Sequence, residues 1–473
     1  MRRRRRELLA GAVVALVAVL AWALAPSYPS YDSQWALVWG RELVHGALPS
    51  YGVYAASTPH PLWTLVAGAC ALLGGGGDRA LVLVAVGSLV ALAWGVARLG
   101  AGVWDAPRGL LAAVLVGTST SLGLYAAKAF VDVPFAALVA WAGALEVERA
   151  RAGRPAGLGP PALLAVAGLL RPEGWLLALA LWAWRRGWRS ASLTGLAFLA
   201  PLLWGLADLA VTGDPLFSLH RTSLVVESIG EQVSAGEVPR ALVSFLAAVL
   251  RPPVLVLGVV GVGLALWRGR ARPPRALGVP LALLAVGTAA FVAGAVLALT
   301  AQQRYLTVPA VALGLFAAHA LLGFRDEAPG AVRTWWARGA AGAAVLALVA
   351  GVVLLPGTAG RLRTELRFVR DSHSALAAVL AVARVRGCRP IVMPTYKGVP
   401  DALWILGAPP GVVVAAPALG PRRPGARIIV GPGDRVIRRF GRAAGVPAAT
   451  DVLDPDVPIL ARRGAFTAQG RCA

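Results

Sequence analysis

The run LLAGAVVALVAVLAWALA, residues Leu8–Ala25, indicates the fold class, because apolar blocks of similar length recur along the chain after it. A helix needs about 20 apolar residues to cross a bilayer. The 473 residues have a mean hydropathy of +0.68, and we expect roughly nine to eleven membrane segments of this length, some of them re-entrant. The sequence therefore predicts a polytopic α-helical membrane protein. The arginines before the first run also resemble a secretory signal, but the length of the run favours a retained helix.

The net charge of +23 comes from arginines that lie in short clusters at segment ends. They are not interleaved with aromatic residues along a stripe, so we expect membrane lipids and no nucleic acid as partners. Basic loops are typically cytoplasmic, which predicts a cytoplasmic N-terminus and a plasma-membrane location. The clusters are Arg2–Arg6, Arg149–Arg154, Arg185–Arg189, Arg268–Arg275 and Arg333–Arg338.

Two stretches do not fit a simple alternation of crossings. The run 163–184 is interrupted at Arg171-Pro172-Glu173-Gly174, which predicts either a re-entrant hairpin of two half-helices or one crossing that breaks the charge rule. Three apolar segments, 59–77, 80–98 and 109–127, lie between Asp32 and Asp132. Both acids are expected on the outer face, which requires an even number of crossings, so one of the three segments should not cross. We expect 59–77 not to cross, since prolines and glycines flank it.

The last quarter of the chain changes character. Short β-rich runs alternate with Pro and Gly turns after residue 357, and one helical stretch is predicted at 373–386. We therefore predict a transmembrane domain over 1–356 and a small extracytoplasmic α/β domain over 357–473. Cys388 and Cys472 both lie in this tail, where an oxidising compartment would allow them to form a disulfide.

Two acids are predicted to lie at the outer membrane face. Asp32 follows the first apolar run in the stretch Tyr31-Asp32-Ser33-Gln34-Trp35, and Asp132 lies one hundred residues later. An acid beside the hydrocarbon region is costly and indicates function, and a carboxylate could deprotonate a hydroxyl group. The alternative for each is a helix cap, with Asp32 before a helix that begins near Ser33 and Asp132 before Val133-Pro134.

Three cations are expected on the same face. Arg304 precedes Tyr305 at a helix start, Lys128 lies four residues before Asp132, and Arg171 lies at the predicted hairpin tip. An arginine fork suits phosphate. The alternatives are interfacial snorkelling for Arg304, a helical pair with Asp132 for Lys128 and a local pair with Glu173 for Arg171.

Several kinds of site are absent from the sequence. The histidines, including His60, are not spaced as metal ligands, and the chain has no Walker loop, no Gly-x-Ser-x-Gly elbow and no Cys-x-x-Cys. These absences argue against a nucleotide-binding cytoplasmic enzyme.

The ordered motifs resemble the GT-C superfamily of membrane glycosyltransferases, in particular bacterial mannosyltransferase-like members. The resemblance spans most of residues 1–325. It rests on Asp32, Trp39-Gly40, Gly46, Pro49-Ser50-Tyr51, Pro59-His60-Pro61-Leu62, Lys128-Ala-Phe-Val-Asp132-Val-Pro-Phe, Leu170-Arg171-Pro172-Glu173-Gly174, Gly213-Asp214-Pro215-Leu216 and Arg304-Tyr305-Leu306-Thr307-Val308-Pro309.

The resemblance implies transfer of a sugar, such as mannose or a pentose, from a polyprenyl-phosphate donor to a hydroxyl acceptor on the extracytoplasmic face. The acceptor would be an envelope glycan, a lipid or a protein. Asp32 would be the general base for inverting attack, and Asp132 would orient the acceptor or Lys128. The lipid phosphate is already a good leaving group, so the second need is stabilisation of its charge.

The same resemblance implies roles for the remaining candidates. Arg304, Lys128 and Arg171 would bind the donor phosphate, and His60, Tyr305 and Glu173 would support the acceptor or the loops. Many members of this superfamily have two adjacent acids in the first loop, whereas Ser33 follows Asp32 here. We therefore predict no cofactor and no required metal. The alternatives are a transporter or lipid flippase without chemistry, which the broken segment would suit, and an inactive scaffold.

Overall fold

The computed structural model describes residues 16–153, 157–229, 234–269, 275–297, 301–419, 425–430, 436 and 453–471. Most of these residues are helical, as the sequence predicts. Helix α1 covers 16–24 of the described part. The other helices are α2 Tyr31–Val44, α3 Pro61–Ala71, α4 Gly77–Val103, α5 Ala106–Gly117, α6 Thr120–Ala127, α7 Asp132–Arg151, α8 Gly159–Gly168, α9 Glu173–Trp184, α10 Ala191–Thr212, α11 Phe217–Ile229, α12 Val238–Leu250, α13 Pro252–Gly269, α14 Gly278–Val296, α15 Thr307–Leu322, α16 Ala331–Leu380, α17 Ala383–Gly387 and α18 Val399–Leu406.

In the described part of the C-terminal region, five short strands follow the long helix α16. They are β1 Ile391–Met393, β2 Val413–Ala415, β3 Ala426–Val430, β4 Ile459–Arg463 and β5 Phe466–Gly470. The sheet has the order β2-β1-β3-β5-β4. β1 pairs in parallel with β2 and β3, while β5 is antiparallel to β3 and β4. The predicted α/β character of the C-terminal region is thus confirmed.

The chain divides into two compact units. Unit 1 comprises residues 1–24, 83–204 and 233–363, and unit 2 comprises 25–82, 205–232 and 364–473. The predicted boundary at 356/357 falls inside the 50-residue helix α16, because Pro356 and the glycines after it do not end the helix. The C-terminal sheet region shares unit 2 with residues of the first loop.

Unit 1 is built around α15. The segment 303–326 that contains this helix is 94% buried in its most apolar window, whereas the corresponding window of α16 is 6% buried. α15 packs against α13, α5, α14 and α7. By length and composition, five of the described helices could cross a membrane, or up to seven if each of two bent pairs forms one span. The chain is therefore a multi-pass membrane protein.

The two stretches that do not fit a simple alternation of crossings contain short helices. The break predicted in 163–184 is confirmed, since α8 has 10 residues and α9 has 12. Each is about 15 to 18 Å long, against a hydrocarbon core of about 30 Å. A Cβ on Gly174 would lie 2.7 Å from the backbone nitrogen of Gly168, so the end of α8 and the start of α9 approach too closely for a side chain at residue 174. α3, in the segment expected not to cross, has 11 residues.

Two further breaks were not expected from the sequence. α5 and α6 meet at 60°, and α12 and α13 meet at 109°. The first break follows Gly117, where Thr118 and Ser119 leave the helical ladder, and Ser119 then caps α6 by accepting a hydrogen bond from the Leu122 nitrogen. The second is centred on Arg251, which has a φ of 72°.

The described residues of unit 2 include a hydrophobic core shared by the first loop and the C-terminal region. Trp35 and Trp39 of α2 pack in the same cluster as Leu376 of α16, Leu403 of α18 and Ile428 of β3. Both tryptophans are almost fully buried and stack on each other with ring centroids 5.4 Å apart. The first loop is therefore part of the fold of the C-terminal region.

Arg41 reinforces this core. Its guanidinium donates hydrogen bonds to the carbonyl oxygens of Leu403, Trp404 and Ala408, at 3.1, 3.3 and 3.0 Å. These carbonyls lie at the end of α18, where a cation complements the helix dipole. Cys388, just before β1, is disulfide-bonded, while the predicted partner Cys472 lies outside the described residues.

Candidate functional site

The charged residues expected to act together in unit 1 come from three parts of the fold. Asp132 is the first residue of α7, and Arg171 and Glu173 lie at the α8–α9 break. Arg304 lies in a short 3-10 helix just before α15. We call Asp132, Arg171, Glu173 and Arg304 the acid–arginine cluster. Both of its acids occupy the first turn of a helix, where the helix dipole favours negative charge.

Arg171 is the centre of this cluster. Its side chain is only 5% exposed and forms ion pairs with Asp132 and Glu173. Its Nε donates to Glu173 Oε2 at 3.1 Å, while its Nη1 donates to Asp132 Oδ1. The face of the guanidinium lies 4.2 Å from the ring centroid of Tyr305. All three nitrogens of Arg171 therefore face protein groups, and the predicted local pair with Glu173 is confirmed.

Arg304 is the more accessible arginine of the cluster. Its side chain is 14% exposed, and its Nη1 lies 3.9 Å from Asp132 Oδ2. The guanidinium lies 4.9 Å from the ring of Phe130, and the Lys128 ammonium lies 5.9 Å from the same ring. Phe130 thus lies between the two cations, and sequence reasoning did not single it out.

Neighbouring helices fix the position of Arg304. The side chain of Gln303 donates to Ser121 Oγ of α6 at 3.0 Å, and Ser121 in turn donates to the Ala248 carbonyl of α12 at 2.8 Å. The Thr307 hydroxyl donates to the Arg304 carbonyl at 2.6 Å. The start of α15 is therefore tied to two helices.

The geometry corrects two interpretations of helical position. Lys128 ends α6 and Asp132 begins α7, with Ala129 between them at a φ of 54°, so these two residues do not form a one-turn pair on a single helix. Asp132 lies in the first turn of α7 and is not its cap, which is Val131. The Asp132 side chain is fully buried within the acid–arginine cluster.

Asp32 and His60 belong to unit 2. The helix of Asp32 begins at Tyr31, and its cap is Ser30, whose Oγ accepts from the Ser33 nitrogen at 3.4 Å. The cap interpretation of Asp32 is therefore wrong, and the pattern Ser30-x-x-Ser33 could have indicated the true cap. Asp32 is half-buried in the first helical turn, and His60 precedes α3.

A second buried carboxylate with polar partners, Asp401, lies in unit 2. No sequence pattern predicted this group of residues. Asp401 Oδ1 accepts from the Tyr28 hydroxyl at 2.7 Å and faces His373 Nδ1 at 2.8 Å. The rings of Tyr28 and His373 stack with centroids 4.0 Å apart. Burial, followed by the charge of Asp401, raises the pKa of Tyr28 well above its usual value, so this phenol stays a hydrogen-bond donor.

Among the described residues, no group of three or more His, Cys, Asp or Glu side chains is placed to hold a metal ion. The predicted independence from metal and cofactors stays a prediction.

The fold is similar to that of two solved proteins. The chain superimposes on ArnT from Cupriavidus metallidurans in the apo state with a TM-score of 0.57 and 14% identity, over 99% of this chain and 98% of that one. It also superimposes on the archaeal oligosaccharyltransferase AglB from Archaeoglobus fulgidus, in complex with an inhibitory peptide and a dolichol-phosphate, with a TM-score of 0.53 and 12% identity. That match covers 88% of this chain and 65% of AglB.

The chain has the fold of the GT-C membrane glycosyltransferases. The GT-C architecture predicted from the ordered motifs is thereby confirmed. No known family model and no curated protein sequence matches the chain. At 12 and 14% identity, the likeness to ArnT and AglB is a likeness of fold.

Proposed function

We propose that this GT-C protein is a glycosyltransferase that takes its sugar from a polyprenyl-phosphate-linked donor. The observation that carries the proposal is the acid–arginine cluster in a GT-C fold. The AglB structure that shares this fold contains a dolichol-phosphate, which is a lipid phosphate of the expected class. We further propose that transfer takes place on the extracytoplasmic face, with a hexose or a pentose as the sugar.

Two cations beside one aromatic ring support an anionic ligand. The Arg304 guanidinium and the Lys128 ammonium lie 4.9 and 5.9 Å from the ring centroid of Phe130. An arginine and a lysine placed near each other can share the oxygens of one phosphate group.

The contacts divide the cations into two roles. The nitrogens of Arg171 are engaged with Asp132 and Glu173, so we assign this residue to positioning. Arg304 is more exposed, and we assign the donor phosphate to Arg304 and Lys128. Asp132 then holds both arginines in place, and Tyr305 supports them through its ring.

In the proposed reaction, Asp32 accepts the proton of an acceptor hydroxyl as its oxygen attacks the anomeric carbon. The bond from that carbon to the phosphate oxygen breaks, with inversion, and the polyprenyl phosphate leaves with the electron pair. Cations at the phosphate stabilise the charge that develops on it. His60 and Glu173 stay in supporting roles, and the acceptor is an envelope glycan, lipid or protein hydroxyl.

Asp32→Asn tests the base. In the full chain reconstituted with polyprenyl-phosphate sugars, we expect transfer to fall about 10²- to 10⁴-fold, because general-base catalysis contributes that much. The matched control is Asp371→Asn, which removes an exposed acid of unit 2 and should leave the rate unchanged. Full activity of Asp32→Asn would refute the assignment of the base.

A transporter or flippase is the second candidate function. The two bent helix pairs, at 60° and 109°, favour it, since discontinuous helices often form binding sites within transporters. Movement of a lipid-linked sugar across vesicle membranes, with no glycosyl transfer under any donor and acceptor combination, would support this alternative.

A further inference from the structure

Arg251 differs from the other sheltered arginines of unit 1. Those arginines face carboxylates: Arg108 lies 2.8 Å from Asp326, Arg268 lies 3.1 Å from Glu327 and Arg185 lies 3.1 Å from Glu146. Arg171 and Arg304 face Asp132. Arg251 is half-buried at the break between α12 and α13, and no carboxylate of the described residues lies within 4.0 Å of it.

The contacts of Arg251 are with neutral groups only. Its Nη2 donates to the Leu115 carbonyl at 3.2 Å and to Thr118 Oγ1 at 3.1 Å, both at the end of α5. Its Nε is buried and donates to no acceptor among the described residues. Its Nη1 has no hydrogen-bond acceptor among those residues either. Nη2 therefore holds α5, while Nε and Nη1 donate to no described protein group.

The backbone at this position is also unusual. Arg251 has a φ of 72° and a ψ of 138°, a conformation that costs little for glycine and much more for a residue with a side chain. A turn alone would be better served by glycine. Strain of this kind points to a function of the side chain.

Arg251 is connected to the acid–arginine cluster through short polar contacts. Ser119, next to Thr118, donates to the Val249 carbonyl at 2.6 Å. Ser121 bonds both Ala248 and Gln303, and Gln303 is adjacent to Arg304. Both cationic sites thus lie along the same seam of α6, α12 and the start of α15.

We propose that Arg251 binds the phosphate of a membrane lipid. A phosphate supplies negative charge and an acceptor oxygen for the Nη1 group of Arg251, while Nη2 keeps its bonds to α5. The lipid is either a polyprenyl phosphate or a glycerophospholipid, since both place a phosphate at the membrane surface. The proposal concerns binding and does not require that the protein transfer a sugar.

Lipid binding to the full chain in neutral detergent tests the proposal, with native mass spectrometry as the readout. Polyprenyl phosphate and phosphatidylglycerol are titrated in separate arms. We expect Arg251→Gln to weaken saturable binding about tenfold or more. The matched control Arg240→Gln removes an exposed arginine of the same helix α12 and should leave binding unchanged.

The arms identify the source of the phosphate. Loss of affinity for both lipids indicates a general lipid-phosphate site, whereas loss confined to polyprenyl phosphate indicates a substrate site. Unchanged binding in Arg251→Gln, or an equal loss in Arg240→Gln, overturns the proposal. Glycosyl transfer is not measured, so failure here is distinct from failure of the proposed enzyme activity.

A measurement on the wild-type chain covers the case in which Arg251→Gln does not fold. A lipid phosphate bound to Arg251 should protect that residue from modification by phenylglyoxal, as followed by peptide mass spectrometry. Modification of Arg251 at an unchanged rate in saturating polyprenyl phosphate and in saturating phosphatidylglycerol would refute the site.

Discussion

Two buried aspartates of this protein are satisfied in different ways. Asp132 of unit 1 is fully buried and faces two guanidinium groups. Asp401 of unit 2 is 8% exposed and faces a tyrosine hydroxyl and an imidazole. The first carboxylate depends on compensation of its charge, whereas the second depends on hydrogen bonds. The difference predicts how much each loses when one partner is removed.

Arg171→Met should have the largest effect on stability. It leaves Asp132 and Glu173 without their shared cation, and breaking a buried ion pair on one side typically costs about 3–5 kcal/mol. Chemical unfolding of the full chain in detergent should show this loss. The double variant Arg171→Met/Asp132→Asn should recover part of it; a double variant no more stable than the single one would contradict charge compensation at Asp132.

Arg304→Gln should separate activity from stability. Because Arg304 is more exposed than Arg171 and is assigned to the donor phosphate, we expect kcat/KM for the donor to fall about 10²- to 10³-fold. The loss of stability should be smaller than for Arg171→Met. Steady-state kinetics with a polyprenyl-phosphate sugar would check this, and equal losses of stability in the two variants would remove the distinction between them.

Tyr28→Phe should have a moderate effect in unit 2. The change removes one hydrogen bond to the Asp401 carboxylate while the aromatic stack on His373 remains. A hydrogen bond to a charged group contributes about 1.5–3 kcal/mol, so the unfolding free energy should fall by that amount. Tyr54→Phe, which changes an exposed tyrosine, is the control and should be neutral.

The smallest expected effect is a dependence of folding stability on pH that comes from Glu42. Its carboxylate accepts from the Ser50 nitrogen at 2.7 Å and from the Ser50 hydroxyl at 2.9 Å. Burial raises the pKa of Glu42 above its usual value, although the bonds from Ser50 oppose the shift. The folded state therefore holds the proton more tightly than the unfolded state does.

The sign of the pH dependence follows from this raised pKa. The stabilisation from protonated Glu42 is fully present below about pH 4.5 and is lost as the pH rises through the raised pKa. Glu42→Gln should remove this part of the pH dependence. Melting curves from pH 4 to 8 would check it, and identical pH profiles for the wild type and the variant would contradict it.

Most of the unit 1 cluster was predictable because charges are rare in apolar segments. Arg171 and Glu173 interrupt an apolar segment beside a proline and a glycine. The sequence therefore predicts both the helix break and the charged residues at it. Which arginine pairs with Asp132 was not readable, since Arg171 lies 39 residues away and Arg304 still further. Phe130 has no local signal, because one more phenylalanine in an apolar chain is unremarkable.

Unit 2 was harder to predict, for physical reasons. Tyr28 and Asp401 are separated by 373 residues, and no spacing rule connects them. The predicted domain boundary at residue 357 rested on the change to short β-rich runs with Pro and Gly turns. α16 continues past that point to Leu380, because Pro356 does not end the helix.

The shared core of unit 2 has a consequence for how the protein is made. Tyr28 and Arg41 leave the ribosome long before their partners Asp401 and Leu403, which follow 373 and 362 positions later. At about 5–20 residues per second, the first loop waits roughly 20 to 75 s for its partners. During that time two tryptophans and a cation lack their native contacts, so biosynthesis of this chain should depend on a chaperone or insertase that shields the loop until translation ends.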